Sequence, residues 1–396
     1  MLITGISQLV TNFSGVPGDL GIIRDAAVVI TDDTITWAGP ASDIPRAHRD
    51  AEVFDVGGRA VLPGFVDAHT HLVFAGDRSD EFARRLRGES YEQILAAGGG
   101  IHSTVAATRA ASLLQLTAVS LARAQRMLRS GTTTVEVKSG YGLTTDDEVR
   151  ILQVAEGLQA SGISVVPTFL GAHVPDRGAD RATYVDLVID EMLPAAAPHA
   201  RFCDVFCDRG AFTVDDSRRI LGAAAGHGLG IRMHAEQLAH TGGAALAAEL
   251  GVASADHLDH ATPEDAAALA SAGVVATLLP ASSFSMRSPQ APGRMLWDAG
   301  VTVALATDCN PGTSNVESMP LVIALACLEM GMTPEEAVWA ATLGGAKSLQ
   351  LTDRGRVASG SLADLVILDA PSYEHIPYRP GTDLVSRVMK AGEWVG

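Results

Sequence analysis

Basic side chains are in short supply in this 396-residue chain: 29 lysines and arginines stand against 46 aspartates and glutamates, a formal charge of -17. No basic cluster interrupts that balance, so a phosphate backbone would be repelled rather than gathered, and nucleic acid is not an expected partner. Long apolar runs are missing too. No segment approaches 18 uninterrupted apolar residues, and the opening MLITGISQLVTNF has no basic lead before a long hydrophobic stretch. A soluble, cytoplasmic protein with no membrane partner is expected. Cysteine is sparse, with only Cys203, Cys207, Cys309 and Cys327. The first two lie four apart in what reads as a strand, which sets their Cα atoms about 13 Å apart, too far for a disulfide. They are expected as free thiols. No short-period repeat or low-complexity tract is visible. Hydrophobic residues at 47% and charged ones at 19% give an ordinary globular profile, which argues against disorder.

Between residue 61 and about 310, short β-branched runs alternate with longer helical patterns. Eight such runs can be counted: VLPGFVDAHTH, TTTVEVKSG, ISVVPTFLGAH, RFCDVFCD, GIRMHAE, SADHLDH, VVATLLP and TVALATD. Strands covered on both faces lose the polar alternation of exposed sheets, so near-continuous apolar runs between helices predict an α/β fold, a parallel (β/α)8 TIM barrel. A doubly wound sheet is the alternative. The barrel is preferred because polar residues gather at the C-terminal ends of many runs. Helix starts carry capping chemistry at Thr145 to Glu148, Thr213 to Asp216, Thr262 to Asp265 and Thr333 to Glu336, with Pro263 and Pro334 at the first helical position. Residues 72 to 130 form a long insertion after the first strand, with an SYEQIL helix, a GGG turn and a helix near 111 to 129. Residues 1–58 and 356–396 read as short strands broken by turns. Neither end has core enough to fold alone, so both are expected to join in one small composite β-sandwich beside a barrel of residues 59–355.

Chemistry concentrates in GFVDAHTHLVFAGDR, residues 64 to 78. On a strand, side chains at i and i+2 share a face, so His69 and His71 are set about 6.6 Å apart and can reach one ion together. For a bare H-x-H, two packed histidines would be the blander reading. Further candidates at matching strand ends tilt the balance toward a metal: His234, His257 and Asp308. Three imidazoles and a carboxylate suit Zn2+ or a mid-row transition metal, and one of these candidates could stand outside the ligand set. Periodicity does not decide between His257 and His260, which have opposite parity; spacing favours His257, further from the turn before Thr262. Glu136 and Lys138 share a strand face and are expected to pair below the site. An anionic substrate is compatible with the net charge if the pocket holds its own cation.

These motifs resemble the metal-dependent amidohydrolase superfamily: H-x-H after an apolar first strand, histidines ending strands 5 and 6, TD ending strand 8, and a split β-sandwich. More narrowly, PGFVDAHTHLVFAGDR, RLRGESYEQIL, AAGGGIHSTVAATR, TTTVEVKSGYGL, TFLGAH, HAEQL, SADHL and TDCNPGTS are similar to the imidazolonepropionase family of histidine catabolism, over about residues 60 to 345. The resemblance implies one Zn2+ or Fe ion per subunit, held by His69, His71, His234 and Asp308, with His257 a hydrogen-bonding catalytic neighbour. The implied substrate is 4-imidazolone-5-propanoate, hydrolysed to N-formimidoyl-L-glutamate. Its contacts map onto Arg78, Tyr91, Tyr141, His173, Gln237, Asn310, Gly312 and Thr313. In this scheme Asp308 moves the proton, and His257 helps to stabilise the oxyanion. Arg78 clasps the propanoate with help from Tyr91 or Tyr141; backbone amides near Asn310, Gly312 and Thr313 take the new carboxylate. His173 meets the ring carbonyl. Gln237 counts with the catalytic group, although an amide cannot donate as an acid. A nucleobase deaminase on the same scaffold would carry a glutamate there. A bridging lysine is expected on strand 4 of two-metal relatives, and RFCDVFCD has none, so one metal is the better count. A homodimer is common among similar proteins and is expected here.

Overall fold

Both chain ends and the middle of the protein build their own sheet. The computed structural model describes residues 1–49, 51–89, 93–94 and 98–396, and each of its two sheets has eight strands. The first sheet takes β1 (Leu2–Leu9), β2 (Ile23–Thr31), β3 (Thr34–Pro40), β4 (Val53–Asp55) and β5 (Val61–Pro63) from the start of the chain. The second is made of β6 (Phe65–Asp67), β7 (Thr132–Lys138), β8 (Ser164–Ala172), β9 (Phe202–Cys207), β10 (Gly230–Ala235), β11 (Ser254–His257), β12 (Val275–Leu278) and β13 (Val303–Leu305), hydrogen-bonded in chain order and all parallel. Then β14 (Leu365–Leu368), β15 (Val385–Lys390) and β16 (Glu393–Trp394) return to the first sheet.

All eight expected runs thus become barrel strands. All seven residues of β7 are buried, as the near-continuous apolar reading requires. Side chains and strand ends close the ring between β13 and β6. Thr307 donates from its N–H and its hydroxyl to Asp67, at 3.0 and 2.6 Å, while Asp308 N–H bonds His69 O and His71 N–H bonds Cys309 O, each at 3.0 Å. That seam sets the two expected metal-binding segments side by side.

The composite domain is one connected sheet, because β5 pairs parallel with β1 and antiparallel with β14 and so joins the two chain ends by hydrogen bonds. Its core gathers Ile3, Ile6, Val28, Ile35, Leu365 and Met389. Val61–Pro63 belong to it, so the terminal sheet runs past the expected boundary at residue 58. The hinge into the barrel is Gly64, where a Cβ would lie 2.3 Å from Thr133 Oγ1.

Capping boxes form at Thr213/Asp216, Thr262/Asp265 and Thr333/Glu336, with Pro263 and Pro334 opening their helices. The fourth expected cap is corrected by one residue: Thr144, not Thr145, caps the next helix, by accepting from Asp147 N–H. Glu148 is drawn inward instead, where its carboxylate accepts the amides of Gly140, Gly142 and Leu143 at 2.7–2.8 Å. In the long insertion, helices Ser79–Leu86 and Ile101–Ala110 join the expected one, observed as Leu113–Arg129; most of the SYEQIL segment lies outside the described residues. All four cysteines are free. No described helix is long and apolar enough to cross a membrane.

Candidate active site

His69 and His71 follow β6, and Asp308 follows β13, so the closing seam of the barrel delivers three donors to one spot. Asp308 Oδ1 lies 3.6 Å from His69 Nε2 and 3.7 Å from His71 Nε2. From the end of β10, His234 brings its Nε2 to 3.5 Å from His71 Nε2. Ligands placed tetrahedrally at ~2.1 Å from an ion would stand roughly 3.4 Å apart, so these three separations are of the size a single Zn2+-like ion requires, while the donors as a whole fall into two overlapping groups that share His69. His69 Nε2 is buried and has no hydrogen-bond partner.

The other side of the rings explains why the donors are ready. His69 Nδ1–H donates to Asp256 Oδ2 at 2.7 Å, and His234 Nδ1–H to Asp204 Oδ1 at 2.9 Å. Each carboxylate fixes the tautomer and turns the Nε2 lone pair into the cavity. Burial, with neighbouring positive groups, holds His69 and His71 well below the usual imidazole range, so both are neutral and able to bind metal. Burial pushes the Asp308 carboxyl up to about 6.

Beneath the donors lies a sealed ionic layer. Lys138 Nζ bonds Glu136 Oε1 at 2.7 Å, the pairing expected from their shared strand face, and also Asp204 Oδ2 at 2.6 Å. Arg232 reaches Asp256 Oδ2 at 3.2 Å and the carbonyls of Ala68 and Ser348 at 2.8 and 2.7 Å. All five side chains are fully buried. Burial opposes the charge of Lys138, but Asp204 and Glu136 outweigh it and raise its pKa. Two cations face three carboxylates, which with Asp308 leaves an excess of negative charge that a dication above would offset.

Strained backbone completes the constellation. His257, Leu258 and Asp308 hold left-handed φ values of 75, 62 and 52°. On a regular strand Asp256 and His257 would face opposite ways. The left-handed turn lets both point inward, and the His257 ring stands 5.4 Å from that of His69 and 5.3 Å from that of His234. His69, His257 and Asp308 also form a possible ligand group, alongside His69, His71 and His234. His260 is only half-buried and is tied through its N–H to Glu236 O, so of the two histidines it is His257 that enters the cavity.

Above the donors, His173 stacks on His71 with ring centres 5.0 Å apart and donates Nδ1–H to Gly140 O at 3.0 Å. Burial lowers its pKa to about 3, so the ring is neutral and its Nε2 is an acceptor. A contact with a ring carbonyl would need a donor, so this tautomer fits a substrate N–H better. Buried Tyr141 completes a cluster with His71 and His173 at 5.7 and 5.5 Å. Arg78 pairs with Glu81 through Nε and Nη2, at 2.8 and 2.7 Å, and its Nη1 lies against Gly312 so closely that a Cβ there would stand 2.2 Å away. The Gly312 and Thr313 amides do not face a ligand: Asn310 Oδ1 accepts both at 2.8 Å, so this loop is held by its own asparagine. Asn310 Nδ2 in turn bonds Asp308 O at 2.7 Å. Gln237 is half-buried at the rim, and Glu236 turns away, as expected, to bind the amides of Gly242 and Ala244, but through a left-handed φ of 54° just past the strand end rather than by strand parity. Tyr91 lies outside the described residues.

The sequence matches the amidohydrolase family over residues 60–395. The chain belongs to that family. It is 54% identical to imidazolonepropionase of Salinispora tropica, with 99% of this chain and 98% of the relative covered. It is 52% identical to imidazolonepropionase of Mycolicibacterium smegmatis, with 100% and 97% covered. In fold it is similar to a mutant atrazine chlorohydrolase from Arthrobacter aurescens complexed with zinc and atraton, with a TM-score of 0.72 at 19% identity over 99% of this chain and 94% of that one. As an amidohydrolase it is a metal-dependent enzyme, and the buried donor set described above is where an ion fits. Sequence reasoning missed Asp204, Arg232 and Asp256, although each is a charged residue inside an otherwise apolar strand.

Proposed function

We propose that this protein is an imidazolonepropionase that hydrolyses 4-imidazolone-5-propanoate to N-formimidoyl-L-glutamate in L-histidine degradation. The observation that carries the reading is the identity above 50%, over nearly whole chains, to relatives of that name, on a fold whose buried Nε2 and carboxylate donors converge at 3.5–3.7 Å. His69, His71, His234 and Asp308 would hold one Zn2+ or Fe ion per subunit. When bound, such an ion polarises a carbonyl and brings the ionisation of water toward neutral pH.

The chain's own groups do the rest. Arg78 clasps the propanoate carboxylate through the edge facing Gly312, and the Tyr141 hydroxyl adds a donor. Tyr91, His173 and Gln237 complete the proposed contact set, with Asn310, Gly312 and Thr313 acting through the loop that Asn310 holds against Arg78. Water oxygen joins the ring carbonyl carbon and its proton passes to Asp308, while His257 faces the developing oxyanion. The C–N bond then breaks, and Asp308 returns the proton to the leaving nitrogen. Cytoplasmic location and a homodimer complete the proposal.

The test is a spectrophotometric assay for loss of freshly made imidazolone propanoate. Consumption is expected, lost on chelation and restored by Zn2+ or Fe2+. No consumption after metal is restored would overturn the reading, and ammonia release from cytosine or guanine would point to a deaminase. A second outcome concerns the anchor. Gly312→Ala should push the Arg78 guanidinium aside and raise KM about tenfold, with kcat nearly unchanged, because an anchor held equally in ground and transition states acts on binding. Steady-state kinetics check this.

A further inference from the structure

Two residues beyond His257, one carboxyl has no task among the groups described so far. Asp259 is about nine-tenths buried, yet its Oδ1 is sealed from solvent without a hydrogen-bond partner. Its Oδ2 accepts only the Ser283 hydroxyl, at 3.1 Å. Buried polar atoms are nearly always paired, so a bare carboxylate oxygen marks a place reserved for a donor.

Its surroundings indicate which donor. The segment carrying Asp259 is tied to the end of β10, because Leu258 N–H bonds Ala235 O at 3.0 Å and His260 N–H bonds Glu236 O at 2.8 Å. Asp259 thereby sits between two residues hydrogen-bonded to the chain that leads into Gln237. On the other side, the helix Pro280–Met286 sends Ser283 to Asp259 and the neighbouring Ser282 to Asp308, so the two carboxyls are braced by consecutive residues of one helix. Asp208 is already filled by the amides of Arg209, Gln237 and Leu238 at 2.6–2.8 Å. Among these three acids Asp259 alone keeps a bare buried oxygen.

We propose that Asp259 is a substrate-binding residue that recognises the nitrogen end of the substrate, accepting an N–H from the amidine that ring opening releases. The inference rests on the imidazolonepropionase reading. Ring hydrolysis produces a carboxylate at one end and a formamidine at the other. Arg78 is assigned to the propanoate carboxylate, away from the bond that opens; the amidine is a cation with N–H groups, and a carboxylate is the complementary partner for it. Gln237 offers a neutral carbonyl oxygen, so the charge-selective contact falls to Asp259.

The test compares two inhibitors, N-formimidoyl-L-glutamate and N-formyl-L-glutamate, which differ only in amidine against neutral formamide. The wild-type protein is expected to bind the amidine at least about tenfold more tightly, as a charge-assisted hydrogen bond implies. Asp259→Asn should bring the ratio of inhibition constants near unity, and Asp259→Glu should recover part of it. Ser283→Ala, which leaves the carboxyl in place but loosens it, should lower the ratio while metal content stays at the wild-type level. An undiminished ratio in Asp259→Asn, or in Ser283→Ala should the first variant not fold, overturns the proposal. Turnover of imidazolone propanoate by wild-type protein is read separately, so failure of this inference is distinct from failure of the function.

Discussion

Asp308→Asn is expected to lower kcat roughly 10^3-fold, the usual worth of a positioned proton-transfer group, in protein whose metal content remains near one per subunit. The substitution keeps shape and an oxygen donor but removes the ability to accept and return a proton. Position argues for the role: Oδ1 faces the Nε2 atoms of His69 and His71, while Oδ2 is steadied by the Thr313 hydroxyl at 3.3 Å. Burial disfavours the charged form of this carboxyl, which favours uptake of a proton. The backbone is fixed as tightly, by Asp308 N–H on His69 O and by Asn310 on Asp308 O. Kinetics with metal analysis on the same sample check the result. Near-normal turnover with the metal still bound would move the proton-shuttle role to another group.

Much of this site is legible in the sequence because a parallel barrel converts chain order into position. A run that ends in H-x-H, HAE or TD places those side chains at the C-terminal mouth whatever separates them along the chain: His69, His71 and His234 form one possible ligand group there, and Asp308 joins His69 and His257 in a second. Pairing of Glu136 with Lys138 follows from strand parity, and is observed. What parity hides is any place where the backbone leaves the strand. Asp256 and His257 both face inward because His257 turns left-handed, and alternation alone would assign only one of them. Glu148 resembles a capping acid by spacing, but its carboxylate instead collects three amides of the 140–143 loop. The Gly312 and Thr313 amides look free in NPGTS, and only the fold reveals that Asn310 curls back to take them. Loop contacts of this kind depend on φ and ψ values that residue types permit without specifying.

Lys138→Met should cost roughly 3–5 kcal/mol of stability, the loss typical of a buried ion pair broken on one side, and should weaken metal retention as well. Methionine fills much the same volume, so packing alone predicts a smaller effect. The difference lies in what remains: Glu136 and Asp204 lose bonds of 2.7 and 2.6 Å, and Arg232 is left as the only cation against three buried carboxylates. Asp204 would then gain a proton more readily, since Lys138 is one of the charges that offset the effect of burial and keep it ionised. A protonated Asp204 no longer accepts reliably from His234 Nδ1–H, and the lone pair on His234 Nε2 loses its aim. Denaturant midpoints and metal content are the two readouts, with Arg59→Ala as the comparison, because its pairing with Asp369 is exposed and worth under about 1 kcal/mol. A Lys138→Met protein as stable as the Arg59→Ala protein, and holding its metal equally well, would mean that the ionic layer neither supports the barrel nor orients its ligands. The expected double loss instead makes the layer a device for keeping two imidazoles in one tautomer, with Lys138 acting through Asp204 and Arg232 through Asp256.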